Sequence, residues 1–191
     1  MFPWLFPRHV QGGEPIWFHE DDYCQIELLP RAAEAFARGE AEKIRAFGEA
    51  HKAPDGIGWT DIYRAKAPPA TVHDLKIHID KLKECVPPSL GLFERVTTGY
   101  STHVERAERT VAWGREGRAL IFADSDELQV VQHIWFDHFG RSSTDDMRSF
   151  LGACTARWDV LLCDWAWTQV VDPRDTSALD SYLVLRESRR A

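Results

Sequence analysis

The sequence predicts an α+β fold, with a mainly antiparallel sheet and helices packed on one face. Three observations lead there. Segments with a period of two, at 23–28 and 127–139, read as half-buried strands. Segments with apolar residues at helical spacing interleave with them irregularly, which points to antiparallel pairing rather than a βαβ series. Short acidic stretches between neighbouring strand candidates supply hairpin-like turns. At 191 residues the chain fits one domain, read as 15–191 behind an extended arm at 1–14.

The elements follow in order. Pro3 and Pro7 keep the opening Phe2, Trp4, Leu5 and Phe6 extended. Those side chains dock either on the same chain or on a second copy, which would make the arm a homodimer contact. From Pro15 to Pro30 two strands flank the acidic turn Glu20, Asp21, Asp22; in the second, Cys24, Ile26 and Leu28 alternate with Tyr23, Gln25 and Glu27. Pro30 then opens a helix over 31–51, where its missing N–H costs little. Pro54, Asp55, Gly56 and Gly58 break the chain, and 59–64 reads as a short strand.

Thr71 caps a helix over 71–86 with Val72, Leu75, Ile79, Leu82 and Val86 as its stripe, stopped by Pro87 and Pro88. Val96, Thr97, Thr98 and Tyr100 favour strand, as do residues 119–123. In the strand at 127–139, Leu128, Val130, Ile134 and Phe136 share one face, and Glu127, Gln129, Val131, His133, Trp135 and Asp137 share the other. A helix starts at 142–145 with Met147, Phe150, Leu151 and Cys154 as its stripe. An apolar strand covers 158–171, and a helix over 177–186 closes the chain.

Composition narrows the function classes. Hydrophobic residues make up 44% of the chain, which excludes a disordered protein, and the formal net charge is −7. Neutralising phosphates takes clustered Lys and Arg, so no nucleic-acid partner is expected. No run approaches the ~18 apolar residues of a membrane span, so no membrane partner is expected either. The start lacks the cationic and apolar regions of a signal peptide. Cys24, Cys85, Cys154 and Cys163 form no C-x-x-C, and we read them as reduced thiols of a cytoplasmic protein.

The most informative feature is where positive charge is missing. No Lys or Arg lies between Arg8 and Arg31, between Arg118 and Arg141, or between Arg157 and Arg174. These stretches hold the strongest strand candidates together with Glu14, Glu20, Asp21, Asp22, Glu27, Asp124, Asp126, Glu127, Asp137, Asp159, Asp164 and Asp172. Were the strands neighbours, an anionic face carrying Trp17, Tyr23 and Trp135 would attract a cationic partner. The structural alternative is that strands are poor in Lys by propensity and turns are rich in Asp.

Catalytic motifs are mostly missing. There is no H-E-x-x-H, G-x-S-x-G or P-loop, and Gly56-Ile57-Gly58 is a fragment of a dinucleotide fingerprint. His133 and Asp137 share a face but lie ~13 Å apart along a strand. Neither a metal nor a cofactor site is expected. An acid–base site built from His19, Glu20 and Asp61 in a cleft lined by Trp17 and Trp59 is the enzymatic alternative, and would suit a small molecule or carbohydrate.

Residues 19–30 (HEDDYCQIELLP) and 56–63 (GIGWTDIY), twenty of the 191 positions, resemble segments of small uncharacterised bacterial proteins, loosely those of toxin-immunity type. Such immunity proteins are often acidic α+β domains that block a toxin by binding it. The resemblance implies an inhibitor's role and transfers no functional residue. The expectation is therefore a non-catalytic acidic module that binds a basic protein through Trp17, His19, Glu20, Asp21, Asp22, Tyr23, Glu27, His133, Trp135 and Asp137.

Overall fold

The structure is a computed structural model describing residues 15–100, 103–115, 118–137 and 144–188. The arm at 1–14, and with it the contact between copies assigned to that arm, lies outside these residues. The described residues form the α+β class expected, with four helices and ten strands. In chain order they are β1 (Ile16–Phe18), β2 (Ile26–Pro30), α1 (Glu34–Ala50), α2 (Ile79–Lys83), β3 (Gly91–Phe93), β4 (Val96–Tyr100), β5 (His103–Arg106), β6 (Thr110–Arg115), β7 (Arg118–Ser125), β8 (Val131–Phe136), α3 (Thr144–Thr155), β9 (Val160–Asp164), β10 (Gln169–Val171) and α4 (Thr176–Ser188). Seven strands make an antiparallel sheet in the order β10-β9-β2-β8-β7-β6-β3, and β1, β4 and β5 make a second, mixed sheet.

Alternation along the strands assigns two faces to the large sheet. Ile26, Leu28, Ile121, Ala123, Ile134, Phe136 and Leu162 point into a core filled by Leu82 of α2, Met147, Phe150 and Leu151 of α3, and Leu179 and Leu183 of α4. The other face is shared. Over β6, β7 and β8 it carries Ala112, Phe122 and Trp135, covered by Ile16 and Phe18 of β1 and Val96 of β4. Over β2 and β9 it carries Leu29, Leu161 and Cys163, covered by Ala33 and Ala37. Three helices thus lie on one face, and α1 takes the opposite one beside the small sheet. The alanines at 33, 37 and 41 let α1 sit close to the strands.

That shared covering corrects the expectation for β2. It is buried along its whole length rather than half-buried, because α1 closes the face expected to meet solvent. Nor do β1 and β2 form a hairpin: β1 pairs in parallel with β4, whereas β2 lies between β8 and β9. Cys24 takes a left-handed φ of 55° between them, which breaks the period-two pattern before β2 begins.

Three other expectations are revised. The helix over 71–86 splits into a 3-10 turn (Val72–Leu75) and α2, with Lys76 left-handed at φ 52°. The split frees backbone at 77–79 for the large sheet: Val131 N–H donates to Ile77 O at 2.8 Å and Ile79 N–H to Gln129 O at 2.9 Å. The apolar run at 158–171 is a tight hairpin of β9 and β10, turned at Trp165–Thr168 with Thr168 at φ 52°. Residues 59–64 form no strand beyond one bridge between Lys52 and Trp59. They are held instead by Glu40 of α1, which accepts from Tyr63 Oη at 2.8 Å and from Lys66 N–H at 3.1 Å.

One ion pair is fully enclosed. Asp164, at the end of β9, accepts from Tyr182 Oη at 2.8 Å and from Trp167 N–H at 3.0 Å, and it pairs with Arg186 of α4. The Arg186 guanidinium also lies 4.0 Å from the centre of the Trp167 ring. Arg186, in the last turn of α4, is therefore a buried structural cation.

Candidate functional site

The acidic turn is built locally. His19 caps a 3-10 turn over Glu20–Asp22, accepting from Asp21 N–H on Nδ1 at 3.2 Å. Tyr100, at the end of β4, donates its hydroxyl to Asp21 Oδ1 at 2.7 Å and sets its ring edge-on to His19, 4.5 Å between centroids. Trp17 also meets His19 edge-on, with 5.7 Å between ring centroids. Trp17 and Tyr100 remain 45% and 48% exposed, so this corner presents rings and carboxylates side by side.

Behind the turn is a compact polar cluster. Tyr23 donates its hydroxyl to Asp124 Oδ2 at 3.0 Å and stands 2.8 Å from His133 Nδ1. His133 Nδ1 lies 3.1 Å and 3.2 Å from the two oxygens of Asp124, whose Oδ1 also accepts the His133 N–H at 2.8 Å. An ionised carboxylate only accepts, so Nδ1 carries a proton toward Asp124. That hydrogen bond raises the His133 pKa above its ordinary value, against the opposing effect of burial. Burial raises the Tyr23 pKa far above the phenol range, with Cys24 and Asp124 adding to it, so its hydroxyl keeps its proton as the donor to Asp124. The cluster joins β7 and β8 to the end of the acidic turn.

Glu27 occupies the seam between the two coverings of the sheet. Its register partners are Trp135, which packs under the small sheet, and Cys163, which packs under α1. Trp165 Nε1 donates to Glu27 Oε1 at 2.7 Å. Burial pushes the Glu27 pKa up, and the Trp165 hydrogen bond only partly offsets that. The carboxyl lines a cavity of about 260 Å³ with Gln25, Phe36, Ile44, Tyr63 and Trp165. Glu40 lines it too, but is already matched by Lys43 at 3.2 Å and by the donors of Tyr63 and Lys66.

This cavity opens beside a larger cleft of about 760 Å³, lined by Phe47, Trp59, Asp61, Ile62 and Trp167, and sharing Ile44 and Tyr63 with the smaller one. Ile57, Trp59 and Ile62 are the most exposed large apolar side chains in this part of the chain, at 81%, 68% and 83%. Ala166 lines both that cleft and a depression holding Asp21, Asp22 and Gln25. The acidic turn, the Glu27 cavity and the apolar loop therefore adjoin one another around the β9–β10 turn.

The expected binding residues divide accordingly. Trp17, His19, Glu20, Asp21, Asp22 and Tyr23 share one corner. His133 is half-buried in the cluster with Asp124, and Asp137 is half-buried just after β8. Trp135 is buried under Phe18 and stacked on Phe122, so it is core and no exposed anchor. Glu27, at 8% exposure, faces the cavity rather than open solvent. The alternative set does not converge: Asp61 lines the large cleft, while Glu20 lies in a depression with Phe18, Tyr23 and Thr98. Among the described residues, many of the acids expected on an anionic sheet face are paired. Asp159 and Asp172 pair with Arg31, Asp126 with His73, Glu127 with Arg109 and Asp164 with Arg186.

Ile57, Ile62 and Trp167 escaped the sequence reading. For Ile57 and Ile62 the available signal was a run of large apolar residues inside a Gly- and Asp-rich break, where no element could bury them, whereas Trp167 was hidden in the apolar run at 158–171. Among the described residues no group of three His, Cys, Asp or Glu side chains is placed to hold a metal ion, and no helix is long and apolar enough to cross a membrane. Comparison with protein-family models, with curated proteins and with solved structures yields no match to this chain.

Proposed function

We propose that this protein is a non-catalytic binding module for a basic protein, with the inhibitor's role that its resemblance to immunity proteins suggests. One observation carries the reading: an exposed acidic turn flanked by aromatic rings adjoins an exposed apolar loop on the same side of the molecule. Carboxylates steer a cationic partner toward the surface, and large apolar side chains supply the area that holds it. Free Cys24, Cys85, Cys154 and Cys163 accord with a reducing, cytoplasmic setting.

The test uses the product of a neighbouring gene that encodes a basic protein, purified and immobilised. Neutralising Glu20, Asp21 and Asp22 together should slow association about tenfold at low salt and flatten its salt dependence. Trp59→Ala with Ile62→Ser should instead speed dissociation. An association rate unchanged by the first variant would refute the steering surface.

A further inference from the structure

We infer that the cavity floored by Glu27 receives a cationic side chain, lysine or arginine, from the bound partner. The inference rests on the reading of a basic partner for its biological setting, but the cavity's chemistry can be tested without one.

Glu27 is a buried carboxyl that takes hydrogen bonds from the indole N–H of Trp165 and from the Cys24 thiol, with His133 as the nearest charge acting on it. A buried carboxylate is costly unless matched by positive charge. The other carboxylate of the cavity, Glu40, already has Lys43 and two further donors. Lys66 also lines the cavity; it is exposed, contributes its backbone N–H to Glu40 and forms no ion pair with Glu27. Glu27 thus feels the charge of His133 but makes no ion pair with a lysine or arginine among the described residues, and a ligand's cation would supply one.

The walls suit the same class of ligand. Phe36, Tyr63 and Trp165 line the cavity beside Glu27, and Ile44 lines both it and the larger cleft. Aromatic rings around a carboxylate select guanidinium or ammonium over neutral groups. A volume near 260 Å³ is below the roughly 300–1,000 Å³ of drug-sized ligand sites, but it admits one side-chain head. The position fits as well. Gln25 lines both this cavity and the depression holding Asp21 and Asp22, and Ile44 and Tyr63 line both this cavity and the Trp59 cleft. The site lies where the charged and apolar halves of the surface meet, which is where the strongest contacts of an interface cluster.

The full chain, labelled with ¹⁵N, is titrated with n-butylguanidinium chloride at constant ionic strength. The indole N–H resonance of Trp165 is followed, and n-butylurea serves as the neutral isostere. A saturable shift of that resonance is expected with the guanidinium, at least tenfold weaker with the urea and at least tenfold weaker in Glu27→Gln. Ile44→Trp, which fills the cavity and keeps the carboxyl, should abolish the shift and decides the matter should the Gln variant not fold. Neutralising Glu20, Asp21 and Asp22 should leave the affinity within twofold. Equal response to the two probes, wild-type affinity in either cavity variant, or no saturable shift would overturn the inference. Those results leave the effect of the acidic turn on partner association untouched, so the two proposals fail separately.

Discussion

Replacing Arg186 by Met tests the best-defined energetic feature of the fold. In the native protein the Asp164 carboxylate has no solvent exposure and takes donors from Tyr182 Oη, Trp167 N–H and the Arg186 guanidinium. Methionine approximates the volume of the arginine stem but leaves the carboxylate with the two neutral donors and no matching charge. Breaking a buried pair this way costs about 3–5 kcal/mol. Against a total stability of about 5–15 kcal/mol, that is a large fraction. For a chain of this length it corresponds to a fall in Tm of about 6–20 °C. Urea unfolding followed by tryptophan fluorescence measures the free energy, and calorimetry the temperature.

The double variant Asp164→Asn with Arg186→Met removes both charges. It should be less destabilised than the sum of the single variants by about 2 kcal/mol or more, because neither partner is then stranded. An Arg186→Met cost under about 1 kcal/mol, or strict additivity, would show that the charge pairing carries little of the stability here.

Two further predictions concern the site. The folded protein holds the His133 proton more tightly than the unfolded chain, because Asp124 accepts from the ring. The stabilisation is fully present below the ordinary histidine value and is lost as pH rises through the raised folded value. The stability difference between wild type and His133→Gln should therefore shrink over that window in urea titrations at a series of pH values, and a constant difference would contradict that hydrogen bond. Glu40→Ala removes the shared acceptor of the Tyr63 hydroxyl and the Lys66 N–H and should loosen the 59–66 segment. Hydrogen exchange should accelerate there and stay unchanged in β7 and β8; uniform acceleration would mean that Glu40 supports the whole fold.

The fold class was legible because it depends on local pattern. The stripe of Met147, Phe150, Leu151 and Cys154 and the alternation at 133–136 survive folding unchanged. Expectations failed where a distant element overrode the local pattern. The stripe from Val72 to Val86 is helical on paper, yet 77–79 bonds to the β7–β8 hairpin. The alternation at 23–28 suggested an exposed face, yet α1 covers it. The acidic turn at Glu20–Asp22 could be found because short charged turns are local features. The cavity at Glu27 could not: Phe36, Tyr63 and Trp165 come from three separate segments, and only tertiary packing brings them to one carboxyl. Trp135 was misjudged for a related reason, since nothing local says that β1 and β4 will lie over it.

The place of β2 has a consequence for how the chain acquires its shape. Ile26 pairs with Asp164, and Ile16 pairs with Val96. A nascent chain emerging from the ribosome therefore holds an apolar segment whose neighbour on one side is made only much later in the sequence. Contacts so remote in sequence slow the search and leave strand edges exposed meanwhile. Until Val160–Asp164 has been synthesised, Ile26–Pro30 is a sticky, half-paired strand. A strand held open for that long is the kind of segment that chaperones shield until its partner arrives.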